Sequence, residues 1–383
     1  MKKKINILGS TGYIGKKTLN IIDKYFNNYK INFLFANNNY SLLTKQANHF
    51  KPNFVGILNK TNYPKIKKLI NNNKIKIIAG EDCYEILKSN VDISILSISG
   101  ISALKSIESV IKYSKKIGIV NKESIVSAGK FIFKLANKMN TTIIPLDSEH
   151  FSIYNFLKNY KIKNINILNK VYLTASGGPF LFHSTSNLKN VTLKQAINHP
   201  TWKMGIKNSV DSSTMINKCL EIIEAHYLFN ISYKKLEIII HPQSLVHSII
   251  EIPDGSLILN MSNNDMSIPL YHSLSEKNYN PYNKLNINNI DNIKFIKPDK
   301  NKFKSLKIFD QLNKESISEI IIFNTSNEYA VNMFVNNKIK YHEITDYIKK
   351  SLNRFEKRKI CNINEVIDYQ SYVYNKLLLD DKH

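Results

Sequence analysis

Cysteine is nearly absent from this 383-residue chain: Cys83, Cys219 and Cys361 are far apart, odd in number and form no CxxC pair. This excludes a disulfide framework and a cysteine-built zinc site, and it fits a reducing compartment. The chain has no run of about 18 apolar residues, the length a membrane-spanning helix needs. Its basic start, MKKKINILGSTGYIG, reaches glycine and polar residues too soon for the apolar centre of a signal peptide. Acids are scarce, 30 Asp and Glu against 54 Lys and Arg, for a formal charge of +24. The bases are nearly all lysine, dispersed among asparagine and isoleucine. Compositional bias accounts for that dispersion better than a nucleic-acid face, which needs clustered bases interleaved with aromatics. A positive field would also suit an anionic small substrate. With 43% hydrophobic and 22% charged residues, the chain is an ordinary globular one, long enough for two or three domains.

The first 150 residues alternate short apolar runs (KKINILGS, INFLFANN, FVGIL, KIKIIAG, DISILSIS, KIGIVN, TTIIPLD) with segments of helical spacing such as YIGKKTLNIIDKYF, YEILKSN and SALKSIESVIKYSKK. That alternation predicts a mostly parallel, doubly wound sheet. Beyond 150, KVYLTASGGPF reads as a strand entering a glycine turn and HPTWKMGIKNS as a loop. VDSSTMINKCLEIIEAHYLF reads as one long helix, and EIIIHPQSLVHSIIEIPDGSLILNMS as strands with a turn at Pro253–Asp254–Gly255. The expected division is a dinucleotide-binding domain over 1–150, a catalytic α/β domain over 151–275, a linker over 276–303 and a helical domain over 304–383.

Several stretches bear chemistry. GSTGYIG, with Gly9, Gly12 and Gly15, follows a strand and opens a helix, where backbone N–H groups can approach a pyrophosphate. The second strand ends in Asn37–Asn39, offering neither an acid for ribose hydroxyls nor a base for a 2′-phosphate. In TTIIPLDSEH, Asp147 and Glu149 stand one residue apart. On an extended strand end they would point to one side, and a divalent cation with oxygen ligands, Mg2+ or Mn2+, would relieve their repulsion. A solvated turn with two surface acids is the alternative. NKCLEIIEAH sets Asn217 and Glu221 on one helical face beside Lys218, either as a wet face or as a joint anion and metal site. Ser176 before Gly177–Gly178, and Ser212 at a helix start, are anion-nest candidates or plain turn and cap residues. In HPTWKMG, the single tryptophan, Trp202, belongs either to a lid that excludes water or to an anchored structural loop, and His199 is a phosphate or hydroxyl ligand candidate.

These stretches, together with SISG (97–100), NKES (121–124), LDSEH (146–150), SGGPF (176–180), IHPQSLVHS (240–248) and NTSNEYAV (324–331), resemble the 1-deoxy-D-xylulose 5-phosphate reductoisomerases in order over nearly the whole chain. The resemblance implies an N-terminal Rossmann-like NADP-binding domain, a central α/β catalytic domain and a C-terminal helical domain. It implies Asp147, Glu149 and Glu221 as ligands of Mg2+ or Mn2+. Substrate phosphate would lie among Ser176, Ser212, Asn217 and Lys218, with His199 on that side and Lys122 and Ser148 at the reacting end. Trp202 would ride on the closing loop. NADPH would lie over Thr11, Gly12, Tyr13 and Ile14, with Asn39, Asn121, Glu123 and Gly205 lining its site. Lys122, Glu149 and His199 are the implied catalytic groups.

The implied reaction is a metal-dependent skeletal rearrangement followed by NADPH reduction, giving 2-C-methyl-D-erythritol 4-phosphate in the non-mevalonate isoprenoid pathway. A homodimer built around HPQSLVHSIIEI, a bacterial cytoplasmic location, a small sugar-phosphate substrate and no nucleic-acid or membrane partner are also expected. The sequence departs from the family at Asn37 and Asn38, where a glycine and a base are usual, at Tyr13, and at Cys219, where glycine is usual. Two rival readings are a different NAD(P)-dependent dehydrogenase, which would need no third acid, and a basic nucleic-acid-binding protein, whose binding would fall steeply with salt.

Overall fold

The computed structural model describes residues 2–162, 164–202, 204–275 and 284–380. Along the chain run β1 (Lys3–Leu8), α1 (Tyr13–Tyr25), β2 (Tyr29–Ala36), α2 (Tyr40–Phe50), β3 (Phe54–Ile57), α3 (Tyr63–Leu69), β4 (Lys76–Ala79), β5 (Val91–Leu96), α4 (Leu104–Tyr113), β6 (Ser114–Ile119), α5 (Lys122–Met139), β7 (Thr142–Pro145) and α6 (Ser148–Asn159). They are followed by β8 (Lys170–Ala175), α7 (Leu193–Ile197), α8 (Ile206–Ser213), α9 (Ile216–Phe229), β9 (Leu236–Ile240), β10 (Val246–Glu251), β11 (Leu257–Met261), α10 (Ser267–Leu274), α11 (Lys304–Gln311), α12 (Ile317–Val335), α13 (Glu343–Arg354) and α14 (Ile363–Asp380). The chain forms two compact units. The first takes residues up to Asn121, Phe131–Phe151, and Asp265 through α10; the second takes Lys122–Lys130, Ser152–Asn264 and the described residues from 284 onward.

The first unit is built on a sheet of order β4-β3-β2-β1-β5-β6-β7. Every pair in it is parallel. Its strands are the apolar runs read from the sequence, and Ile5, Ile7, Leu8, Leu34, Ile57, Ile95 and Leu96 are fully buried, as a sheet covered on both faces requires. Strand order reverses between β1 and β5, which is where ligands bind in open α/β sheets. Gly9 closes that point with φ +88°, and a Cβ there would sit 2.6 Å from the Ser97 carbonyl oxygen. A Cβ on Gly15 would lie 2.3 Å from the Gly9 carbonyl oxygen, so α1 packs against the turn itself. Helix α10, unforeseen in the sequence, belongs to this unit: Lys17 pairs with Asp265 at 2.5 Å and the Tyr29 hydroxyl donates to the Leu274 carbonyl at 2.7 Å.

The second unit holds a sheet of order β11-β10-β8-β9, with β10 antiparallel to both neighbours and β8 parallel to β9. One core joins this sheet to α9, α11, α12 and α13 through Leu173, Ile223, Phe309, Phe323 and Ile344. The strand expected to build a dimer, β10, is interior, so any edge-to-edge pairing must use β11 or β9. Within the stretch expected to be a linker, residues 276–283 lie outside the described residues, while Ile296 bridges to Ile240 of β9.

Three local readings need correction. YEILK of YEILKSN closes a 3-10 segment, Gly80–Lys88, rather than an α-helix, and Ser89 and Asn90 lie beyond it. The loop expected through HPTWKMGIKNS gives way to α8 at Ile206. The long helix expected from VDSSTM onward is broken into α8 and α9 because Met215 takes a left-handed conformation, φ 65°. Periodicity could not reveal the break, since methionine is an ordinary helix former and apolar spacing continues across it. No helix among the described residues is long and apolar enough to cross a membrane.

Candidate active site

In the first unit, the turn after β1 has the character of a phosphate cradle. Gly12 is the N-cap of α1 and offers no side chain to the open amides of the first turn. The Ser10 hydroxyl is buried without a hydrogen-bond partner. Thr11 is half-buried, Ile14 is buried, and Tyr13 is exposed with the Lys17 ammonium 5.6 Å from its ring centre. Open amides at a positive helix end beside an unsatisfied hydroxyl fit a dinucleotide pyrophosphate. At the end of β2 the asparagines largely build the turn. Asn39 caps α2 by accepting from the Leu42 N–H at 3.1 Å, and Asn38 accepts from Asn59 at 3.0 Å and, through its carbonyl, from Asn62 at 3.1 Å. Asn121 donates to the carbonyls of Ile98 (2.9 Å) and Gly100 (2.8 Å), fixing the SISG loop beside the end of β6.

Asp147 and Glu149 do converge, for a reason other than strand alternation. Strand β7 stops at Pro145 and α6 starts at Ser148, so Asp147 precedes the helix and Glu149 lies in its first turn. The Glu149 N–H donates to Asp147 Oδ1 at 3.3 Å, and a carboxylate oxygen of each lies within 4.8 Å of the other. The positive end of α6 favours both charges. The Ser148 hydroxyl donates to Glu149, and His150 Nδ1 lies 3.5 Å from Asp147 Oδ1. Two convergent carboxylates with a neighbouring hydroxyl are hard oxygen donors of the kind Mg2+ or Mn2+ takes.

In the second unit, Lys122 opens α5 and reaches α9: its ammonium donates to Glu221 Oε1 at 2.9 Å and to Asn217 Oδ1 at 2.8 Å. Lys218 and the Asn217 amide also donate to the Glu221 carboxylate. Glu221 is 1% exposed, Lys122 5% and Lys218 4%, so this carboxylate is buried between two ammonium groups. Helix α9 can carry such a cluster because its other faces are apolar: Leu220, Ile222 and Ile223 are buried in the core. Cys219 is buried among them and its thiol is held protonated by that burial, so it packs as a small apolar group.

His199 joins the two serine candidates. Its Nε2 lies 2.9 Å from the Ser176 hydroxyl and 3.1 Å from the Ser212 hydroxyl. Its Nδ1 accepts the Trp202 N–H at 2.9 Å, so the proton of the neutral ring is on Nε2, facing the hydroxyls. The closeness depends on Gly178, φ +67°, where a Cβ would meet the Ser212 carbonyl oxygen at 2.9 Å. Burial, reinforced by the positive charge of Lys218, lowers the His199 pKa from 6.5 to about 4. An unfolded chain takes up this proton near pH 6.5 and the folded chain only near pH 4, so stability is lost as pH falls through that window. His199→Gln is therefore expected to flatten the dependence of urea-unfolding free energy on pH between 6.5 and 4. An unchanged slope would refute this assignment of the proton.

Trp202 is half-buried rather than exposed. Its ring packs at 6.3 Å from that of His247 on β10. Gly205 is the N-cap of α8, and a Cβ there would meet nothing within 4 Å, so fold sterics do not demand this glycine. Glu123 does not stand alone: Lys207 pairs with it at 3.2 Å and with Asp211 at 2.6 Å. Burial opposes ionisation of Glu123, but the Lys207 charge prevails and lowers its pKa. Lys207 and Asp211 were not among the sequence candidates. Their i, i+4 spacing was the available signal, but it reads equally as a surface pair.

Family models match three stretches: one described as 1-deoxy-D-xylulose 5-phosphate reductoisomerase over residues 5–129, one as its C-terminal domain over 143–229, and one as DXP reductoisomerase C-terminal domain over 261–375. The chain is 40% identical to the 1-deoxy-D-xylulose 5-phosphate reductoisomerase of Clostridium novyi (strain NT), covering 98% of this chain and 99% of that one. It is 38% identical to that of Wolbachia pipientis subsp. Culex pipiens (strain wPip), covering 98% and 96%. Among solved structures, it is similar to a DOX-P reductoisomerase in complex with NADPH, fosmidomycin and magnesium, with TM-score 0.92 and 32% identity over 99% of this chain and 98% of that one. It is likewise similar to the Zymomonas mobilis enzyme in complex with NADPH, with TM-score 0.88 and 31% identity over 98% of each chain.

Proposed function

Because the chain belongs to the 1-deoxy-D-xylulose 5-phosphate reductoisomerase family, we propose that it converts 1-deoxy-D-xylulose 5-phosphate and NADPH to 2-C-methyl-D-erythritol 4-phosphate in a metal-dependent rearrangement and reduction. Family membership over the whole chain carries this reading, and the donor sets above support it. Asp147, Glu149 and Glu221 are proposed to hold Mg2+ or Mn2+, which when bound supplies Lewis-acid polarisation of the substrate's vicinal oxygens.

The chain's own groups divide the remaining work. His199, neutral at pH 7 with its proton on Nε2, donates to the substrate phosphate. The Ser176 and Ser212 hydroxyls, the Asn217 amide and the Lys218 ammonium complete that anion site. Lys122 Nζ and Ser148 act at the reacting end, with Lys122 and Glu149 moving protons at the substrate hydroxyls. Lys122 and Lys218 between them offset the Glu221 charge. Trp202 closes over the substrate and excludes water.

NADPH is proposed to lie on Gly12 and the amides at the start of α1, with Thr11, Tyr13, Ile14, Asn39, Asn121, Glu123 and Gly205 lining its site. Neither Asn37 nor Asn38 offers the 2′-phosphate a charged partner. Asn38→Lys is therefore expected to tighten NADPH about tenfold, the worth of one charge-assisted hydrogen bond, while leaving NADH unchanged. Equilibrium fluorescence titration with each nucleotide reads this, and equal changes for both nucleotides would count against it.

The division into a cofactor domain (1–150), a catalytic and dimer-forming domain (151–275) and a helical domain (304–383), the homodimer and a bacterial cytoplasmic location belong to this proposal. The reading is tested by following NADPH absorbance with 1-deoxy-D-xylulose 5-phosphate, with and without Mn2+. Metal-dependent oxidation of NADPH is expected. No oxidation by demonstrably folded protein would overturn it.

A further inference from the structure

The motif NTSNEYAV has no role in the reaction as described, yet Asn324, Thr325, Ser326 and Asn327 on α12 are all fully buried. Four consecutive buried polar residues are costly in a helix unless they are held by partners. Asn327 donates to Asp211 Oδ1 at 2.9 Å, and Asn324 donates to the Ser127 hydroxyl at 3.0 Å and towards the Glu123 carbonyl at 3.5 Å. Gln370 on α14 donates to the same Ser127 hydroxyl at 2.8 Å. At the centre is Lys207, with Asp211 Oδ2 at 2.6 Å and Glu123 Oε1 at 3.2 Å. Each carboxylate neighbours a substrate group in sequence: Glu123 follows Lys122, and Asp211 precedes Ser212. Lys207 also follows the loop that carries His199 and Trp202.

We propose that Lys207 is a positioning residue: its buried ammonium ties the first turn of α5 to α8, and so sets the separation between Lys122 at the reacting end and Ser212 at the phosphate end. The inference rests on the proposed sugar-phosphate site. Helix α12 supplies the rigid backing, because Asn327 holds the second oxygen of Asp211 and Asn324 holds α5 one turn beyond Glu123. Burial disfavours the Lys207 charge, but Asp211, Glu123 and Glu328 outweigh it and raise its pKa, so the tie is ionic throughout the working pH range. Arginine retains the charge and spans two carboxylates, whereas glutamine cannot balance them.

Lys207→Gln is expected to raise KM for 1-deoxy-D-xylulose 5-phosphate about tenfold and to weaken inorganic phosphate binding, read by Trp202 fluorescence, by a similar factor, with Lys207→Arg restoring both to within about threefold. If Lys207→Gln does not fold, Asp211→Asn, which leaves Lys207 paired with Glu123, is expected to give the same two changes. A fall in kcat matching lost folded protein, with KM and phosphate affinity unchanged, would overturn the inference. The phosphate titration requires no turnover. Wild-type protein that binds phosphate but oxidises no NADPH overturns the proposed reaction, whereas equal phosphate affinity in wild type and variant overturns the role of Lys207.

Discussion

Glu149→Gln is expected to lower kcat by about 100- to 1000-fold at saturating Mn2+, corresponding to about 3–4 kcal/mol of transition-state stabilisation. The substitution keeps size and one carbonyl oxygen but removes a charge and a metal ligand. Folding should survive it. Asp147 and Glu149 crowd like charges at the start of α6, with their oxygens within 4.8 Å, so neutralising one relieves repulsion in the metal-free protein. The thermal midpoint without metal is therefore expected to hold or rise, while the stabilisation on adding Mn2+ shrinks, because a ligand raises the midpoint only as far as it binds the folded state. Turnover within threefold of wild type at saturating Mn2+ would remove Glu149 from the metal site.

Lys122→Met should rival that loss. The ammonium is buried and bonds Glu221 at 2.9 Å and Asn217 at 2.8 Å, so it is held where it can give or take a proton at a bound hydroxyl. Loss of a positioned acid–base group typically costs about 100- to 10,000-fold in rate. Glu221 keeps Lys218 and the Asn217 amide as donors in this variant, so its carboxylate is not stranded and the fold is expected to persist. Metal affinity separates the two substitutions. Lys122 competes with a cation for Glu221, so Lys122→Met is expected to tighten Mn2+ binding, whereas Glu149→Gln weakens it. Calorimetric titration with Mn2+ reads the sign directly. Weaker binding in Lys122→Met would mean that the lysine supports the metal site rather than opposing it.

The parts of the site that were legible in the sequence are local ones. GSTGYIG could be recognised because strand, glycine turn and helix are contiguous, and Gly9 and Gly15 are required by contacts with the turn and with the end of β5. Asp147 and Glu149 were conspicuous as neighbours, although the geometry that brings them together was misread: Pro145 ends the strand, and a helix start does the work assigned to strand alternation. The break at Met215 left no trace in periodicity, because apolar spacing continues across its left-handed backbone, φ 65°. The Asn39 candidate shows the reverse difficulty, since its side chain is already engaged as a helix cap.

The sequence by itself determined the doubly wound class, the order of motifs and the residue types available for a phosphate, a metal and a dinucleotide. These are properties of runs and neighbours, governed by side-chain period and local backbone preference. Only the tertiary structure decided which groups meet. His199 comes to both Ser176 and Ser212, Lys122 comes to Glu221 across a long stretch of chain, and Lys207 is buried between Glu123 and Asp211 instead of facing water. Such meetings depend on how helices pack over a shared core, and burial gives an ion pair its rigidity. Neither is encoded in the spacing of any single segment.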